Sequence, residues 1–97
     1  MNTERQERTV YGSSIMHDGE MGKYTMSVAV RLTDVEAHRI RRFEAFGLLR
    51  PDRTDSKQRL YSDAEIELIR EIAELETEGV NLPGVRMILA MRRGERS

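Results

Sequence analysis

The residues of this chain with a legible chemistry are its guanidinium groups. Arg39, Arg41 and Arg42 stand close together, and Arg53, Lys57, Gln58 and Arg59 follow after a short apolar and turn-forming stretch. A planar guanidinium offers paired N–H donors that match a phosphate, or the O6 and N7 acceptors of guanine in the major groove. That is a chemistry of recognition rather than of bond making. The pattern lacks the ingredients of catalysis. No nucleophile stands beside a base at a usable spacing, and there is no glycine-rich phosphate loop. The two histidines, His17 and His38, are too far apart to suggest a metal cluster. Neither enzymatic activity nor a cofactor is expected. The absence of cysteine excludes disulfides and thiolate metal sites and fits a cytoplasmic location.

Net charge over the 97 residues is only −1, so bulk charge does not announce a nucleic-acid partner. The distribution is more informative. Residues 36–61 hold seven basic residues against four acids, whereas residues 62–79 hold seven acids against Arg70 alone. A basic block followed by an acidic helix suits a molecule with one face toward phosphate and another away from it; two ordinary solvated faces would look the same. Charged residues make up 34% and apolar residues 38%, a profile that fits one small soluble domain. No apolar run approaches the roughly 18 residues that a membrane span needs, and no secretion signal is expected in the first 20 positions.

The elements that must position the basic residues follow from local signals. Residues 1–23 are polar, contain three glycines and show no sustained period, so they read as a flexible arm in which Thr9-Val10-Tyr11 carries a weak pairing signal. The domain proper is expected over 24–97. Residues 27–32 form a short helix candidate, capped by Ser27, with Val28, Ala29 and Leu32 facing a core. Thr33-Asp34-Val35 breaks it. A second helix runs over 36–46, with Ala37, Ile40, Phe43 and Ala45 or Phe46 inward, His38, Arg39, Arg41 and Arg42 outward, and Gly47 as its terminating residue. Two short helices with a tight break describe a helix-turn-helix, and the cationic second helix is the one expected in a major groove.

Next, Pro51, Asp52, Asp55 and Ser56 form turns and Arg59-Leu60-Tyr61 alternates as a half-buried strand does, giving a two-stranded ribbon with its tip at 54–58. Such a ribbon after a recognition helix is a wing. Ser62 and Glu65 then make a capping box that opens a helix to about position 78, with Ile66, Ile69, Ile72, Ala73 and Leu75 or Glu76 as its stripe and Gly79 closing it. Its acidic face is expected to be solvated. Asn81 caps a last helix with Pro83 in the first turn; Val85, Ile88, Leu89 and Met91 mark its buried side, with Met87 and Met91 as core or dimer-facing filler. The fold class is therefore mostly α with a small β-ribbon.

Several separated motifs, in order and at fitting distances, resemble the DNA-binding domain of the MerR family over residues 24–91. They are Ser27-Val28-Ala29, Arg39-Ile40-Arg41-Arg42-Phe43-Glu44, Gly47-Leu48-Leu49-Arg50-Pro51, Arg59-Leu60-Tyr61-Ser62 and Gly79-Val80-Asn81-Leu82-Pro83-Gly84-Val85. The resemblance implies a winged helix-turn-helix of MerR type. It places Arg41 at the arginine of the family's I-R-Y-Y-E motif, toward phosphate or a base edge, and Arg42 at a phosphate-contacting position. Phe43 replaces a tyrosine and reads as core. His38 stands where the family often has arginine and is as readily an exposed helix residue as a base contact. Arg53 and Thr54 match the R-T before the wing tip, Lys57 and Gln58 replace the commoner glycine and arginine, and Arg59 and Tyr61 match the wing's R-x-Y, Tyr61 partly core with its hydroxyl at the DNA edge. Arg41 could alternatively pair with Glu44.

What the resemblance implies about function is sequence-specific binding of double-stranded DNA by a dimeric repressor on an inverted-repeat operator. The likeness is nearest to the heat-shock repressor and nitrogen regulator branches of the family, which implies DnaK or glutamine synthetase as a corepressor. The arm or the apolar side of the last helix would make the homodimer. The competing expectation is an architectural, excisionase-like factor that bends DNA or recruits a partner; the two helices after the wing count against it.

Overall fold

The computed structural model describes residues 18–94. A single 3₁₀ turn at Asp18–Glu20 leads into strand β1, Gly22–Tyr24. Helix α1, Met26–Thr33, and helix α2, Ala37–Ala45, follow. Strands β2, Asp52–Arg53, and β3, Arg59–Ser62, precede helix α3, Asp63–Thr77, and helix α4, Leu82–Arg92. None of these helices is long and apolar enough to cross a membrane.

The helix-turn-helix is fixed by local hydrogen bonds. Thr25 caps α1, its hydroxyl accepting from the Val28 amide, where the sequence pointed to Ser27. Two hydroxyls two residues apart compete for the cap; the strand that ends at Tyr24 delivers the chain to Thr25 first. At the other end Thr33 Oγ1 donates to the Ala29 carbonyl and accepts from the Val35 amide, and Asp34 takes a left-handed conformation (φ 60°). Aspartate tolerates that region better than most residues. Val35 is thereby turned into the core. The core face of α1 is Ala29 with the partly buried Met26 and Val30, while Leu32 is exposed, contrary to expectation.

Helix α2 ends in a Schellman motif: the Gly47 amide donates to the Glu44 carbonyl and the Leu48 amide to the Phe43 carbonyl, with Gly47 at φ 88°. Helix α3 closes in the same way, Gly79 donating to Glu76 and Val80 to Leu75. Its start is the expected capping box, the Ser62 hydroxyl accepting from the Glu65 amide and the Glu65 carboxylate accepting from the Ser62 amide. Asn81 caps α4 through the Gly84 amide.

The sheet departs from the expected two-stranded ribbon. It has three antiparallel strands in the order β1-β3-β2. Gly22 lies against β3 so closely that a Cβ there would sit 2.6 Å from the Leu60 carbonyl oxygen, and its amide donates to Asp52 Oδ2. Gly22 and Lys23, expected in the arm, are thus part of the folded domain, and the 3₁₀ turn packs against α3. Thr9-Val10-Tyr11 lies outside the described residues. Beside the capping box, Tyr24 Oη donates to Asp63 Oδ1 at 2.6 Å and Lys23 Nζ lies 2.9 Å from Asp63 Oδ2, so one carboxylate ties β1 to α3.

One core runs through the domain: Ala29, Val35, Ile40, Phe43, Leu49, Tyr61, Ile66, Ile69, Ile72, Leu75, Val85 and Leu89. Met87 and Met91, by contrast, are 66% and 68% exposed, so neither is core filler.

Phe43 is completely buried and stands on a helix of nine residues. Phe43→Ala is expected to lower stability by about 3–5 kcal/mol, measured by urea unfolding, and a variant unfolding with the wild type would contradict its core role. The Tyr24 hydroxyl, followed by Lys23, holds the Asp63 carboxyl below its ordinary value of 3.8. A depressed carboxylate stabilises fully above that ordinary value and loses its contribution as pH falls through the folded one. NMR shifts of Tyr24 should accordingly titrate with a midpoint below pH 3.8 in the wild type and stay flat in Asp63→Asn.

Candidate nucleic-acid interface

At about 3.6 residues per turn, burying Ile40 and Phe43 turns the opposite side of α2 outward. His38, Arg41 and Ala45 occupy that front face and are exposed. Ala45 was a candidate for the core, but the inward place falls to the partly buried Phe46, under the Arg86 guanidinium 4.4 Å from its ring centroid. Arg86 also donates to the Phe46 carbonyl.

The two flanks of α2 are organised by carboxylates. On one flank Glu44 accepts from Arg59 Nε at 2.6 Å and from Arg53 Nη2 at 3.1 Å, which couples the wing to the recognition helix. On the other flank Glu76, reaching over from α3, accepts from Arg39 Nη2 at 2.8 Å through one oxygen and from Arg42 Nη2 at 2.6 Å through the other. Burial opposes ionisation of Glu76, but the two guanidinium groups outweigh it and hold its carboxyl below the usual range. The acidic face of α3 is therefore not wholly solvated. Arg39 and Arg42 also lie over the Phe43 ring, 5.8 and 5.9 Å from its centroid.

Arg41 has no such partner. Its alternative role, pairing with Glu44, is closed because Glu44 already bonds Arg53 and Arg59, and no ion pair or hydrogen bond of the described residues involves the Arg41 side chain. His38 lies 3.6 Å from Glu36 in a pair exposed on both sides. The arginine on the outward side of α2 that no carboxylate of the described residues holds is thus Arg41.

The wing is a short hairpin. Asp52 pairs with Leu60 and Arg53 with Arg59. Thr54 closes the tip: its amide donates to the Gln58 carbonyl, its carbonyl accepts from the Lys57 amide, and its hydroxyl accepts from the Gln58 amide. Thr54 thus shapes the turn. Arg53 Nη1 adds a bond to the Lys57 carbonyl. The side chains of Lys57 and Gln58 project exposed from the tip with no partner among the described residues. Lys57 adopts φ 72°, the left-handed region that glycine fills without cost.

Tyr61 belongs elsewhere. Its ring is 0% exposed and its hydroxyl lies 3.9 Å from Met26 Sδ, so the expected place at a DNA edge is corrected to the core. Burial pushes its pKa up to about 12. Strand alternation gave a half-buried residue, but β1 pairs along the edge of β3 and α1 brings Met26 to the Tyr61 hydroxyl, leaving none of the residue exposed.

Of the ten residues that the sequence nominated, His38, Arg41, Lys57 and Gln58 offer free or weakly held polar groups. Arg39, Arg42, Arg53 and Arg59 are held in ion pairs, Thr54 shapes the turn and Tyr61 is buried. Glu44 and Glu76, which hold four of these arginines, are the residues of the surface that the sequence did not nominate. Neither carries a local signal, because their partners lie 9 to 37 positions away.

A helix-turn-helix with its second helix presented outward and a hairpin beside it defines a winged helix-turn-helix domain. Residues 24–92 match the model of the MerR HTH family of regulatory proteins, and the chain belongs to that family. It is similar to a putative heat shock protein HspR of Streptomyces coelicolor, with 38% identity over 69 residues, 70% of this chain and 46% of the relative. It is also similar to the HTH-type transcriptional regulator GlnR of Bacillus anthracis, 29% identical over 72 residues, 74% of this chain and 56% of the relative. A third relative, the HTH-type transcriptional regulator MlrA of Escherichia coli, is 38% identical over 71 residues, 72% of this chain and 29% of its own length. The chain thus spans about half the length of the first two and less of the third.

The left-handed Lys57 yields a direct test. A non-glycine residue there costs about 1–2 kcal/mol, partly offset because glycine is the more flexible residue when unfolded. Lys57→Gly should raise stability by up to about 1 kcal/mol, or several degrees in Tm, whereas Lys57→Gln should not. Equal melting of all three proteins would show that the turn is not strained.

Proposed function

We propose that this chain is a sequence-specific DNA-binding transcription regulator that acts as a homodimeric repressor on an inverted-repeat operator. The observation that carries the reading is Arg41: an exposed guanidinium on the outward side of α2 with no ion pair or hydrogen bond among the described residues, on a helix whose neighbouring arginines are held by Glu44 and Glu76. An arginine so placed can donate two bonds to guanine in the major groove. His38 and Ala45 share its face, and an alanine methyl suits contact with a thymine methyl. Lys57 and Gln58 at the wing tip fit the neighbouring backbone, where charge rather than sequence is read. Arg39, Arg53 and Arg59 then act through the carboxylates that hold them, as the frame around these contacts, while Arg42, half exposed beside Glu76, stays within reach of a phosphate.

One recognition helix and one wing cover about half a site, which is why a second copy and a two-fold operator are proposed. The exposed Met87 and Met91 on α4 give an apolar surface open to that copy, whereas Val85 and Leu89, on the expected dimer face, are packed in the domain's own core. The named relatives support a regulatory role, and the heat-shock and nitrogen branches supply the candidate genes; a protein corepressor, DnaK or glutamine synthetase, belongs to the same proposal.

Selection of genomic DNA fragments by the purified protein at near-physiological salt is expected to recover one inverted repeat. Recovery of salt-sensitive background alone would remove the repressor reading. On the recovered site Arg41→Ala should weaken binding by roughly 1–3 kcal/mol, read by titration, and unchanged affinity would remove Arg41 from the interface.

A further inference from the structure

We infer that Glu76 is an internal counter-anion that sets the sequence-independent part of DNA affinity by bonding Arg39 and Arg42 from the side. The inference rests on the DNA-binding reading above and assigns a role in it to a residue on a different helix, away from the front face.

The geometry is that of a phosphate substitute. Each oxygen of one carboxylate takes one guanidinium, and the two arginines stand three positions apart on the same flank of α2. The Glu76 side chain is 16% exposed and Arg39 28%, but Arg42 remains 50% exposed, so DNA can reach the outer member of the cluster without opening the core. With Glu76 ionised the three groups carry one net positive charge; without it they would carry two. Sequence-independent affinity follows the phosphate charge neutralised, because each neutralised phosphate releases counterions. Glu44 makes a similar arrangement on the other flank, but there a wing arginine, Arg59, gives up its Nε to the bond and the pair serves as the joint between helix and hairpin. Glu76 joins only α2 and α3, which the shared core already packs together.

The test is a salt titration of the full chain on a mixed-sequence duplex, read by fluorescence anisotropy between about 50 and 200 mM KCl. Glu76→Gln keeps the shape of the side chain and removes its charge. It should steepen the slope of log K against log salt by about 0.9 and tighten binding about eightfold near 0.1 M salt. Glu74→Gln makes the same charge change at an exposed position of α3 that has no partner among the described residues, and it should leave slope and affinity as in the wild type. A wild-type slope in Glu76→Gln, or the same change in both variants, overturns the inference while leaving DNA binding intact. Absence of salt-dependent binding by the wild type overturns the DNA-binding reading itself, and the inference with it. Should Glu76→Gln fail to fold, the wild type still decides. The guanidinium NMR signals of Arg42 should move on addition of duplex while those of Arg70 stay, and an immobile Arg42 signal overturns the inference.

Discussion

A nine-residue helix does not hold itself together in water, and α2 is such a helix. The interface depends on how that weakness is met. Ile40 and Phe43, both fully buried, give α2 an inner face, and everything displayed outward is displayed because these two point in. Only one rotation of the helix satisfies them. That rotation sends His38 and Ala45 to the front, sets Arg41 and Arg42 to either side of them, and leaves Arg39 and Glu44 on the edges. The edges are where α3 and the wing arrive, so their charges must be matched by those elements or left half-desolvated, which is costly for an ion. Glu76 and the pair Arg53 and Arg59 supply the match. The contrast between a paired Arg42 and an unpaired Arg41 thus follows from what arrives on each side of α2, Glu76 from α3 on one and the wing's own arginines on the other.

The same logic explains why a chain of net charge −1 can present a basic surface. Charges need not be few; they need to be sorted. Carboxylates of α3 are used at its N-terminus, where Asp63 and Glu65 meet backbone donors and β1, and at its flank with α2. Arg92 on α4 bonds Glu71, so part of the remaining acid is matched within the two C-terminal helices. The front of α2 and the wing tip are left to Arg41 and Lys57.

How much of this was legible in the sequence divides along contact range. The breaks, the two glycine-terminated helices, the capping box and the Asn81 cap depend on residues within five positions of one another, and those signals read correctly. The helical periods located Ile40, Phe43 and the α3 stripe for the same reason. What failed depends on distant partners. Gly22 and Tyr24 belong to the sheet only because β3 offers an open edge 37 or more residues later. Tyr61 is core because α1 packs over it, with Met26 at its hydroxyl, and β1 occupies the strand edge beside it. The ion pairs of Arg39 and Arg42 were likewise out of reach, because spacing shows that a side chain points away from the core but not that a carboxylate from another helix lies beside it. Ser27 and Thr25 show a milder case, in which a neighbouring strand chose between two adequate caps.

The wing completes the argument, because it joins a rigid root to a strained tip. At the root, Glu44 holds Arg53 and Arg59 from both strands, so two ion pairs tie the hairpin to α2. At the tip, the turn is closed by Thr54, and the residue that must adopt the left-handed conformation is a lysine. Glycine would fit there with less strain but would carry no charge. The turn fixes where the Lys57 backbone stands and which way its Cβ leaves the chain, while the exposed, flexible stem lets the ammonium adjust. The ion pairs at Glu44 tie the root of the same hairpin to α2, so the strained, exposed lysine is carried on a support anchored to the helix that bears Arg41.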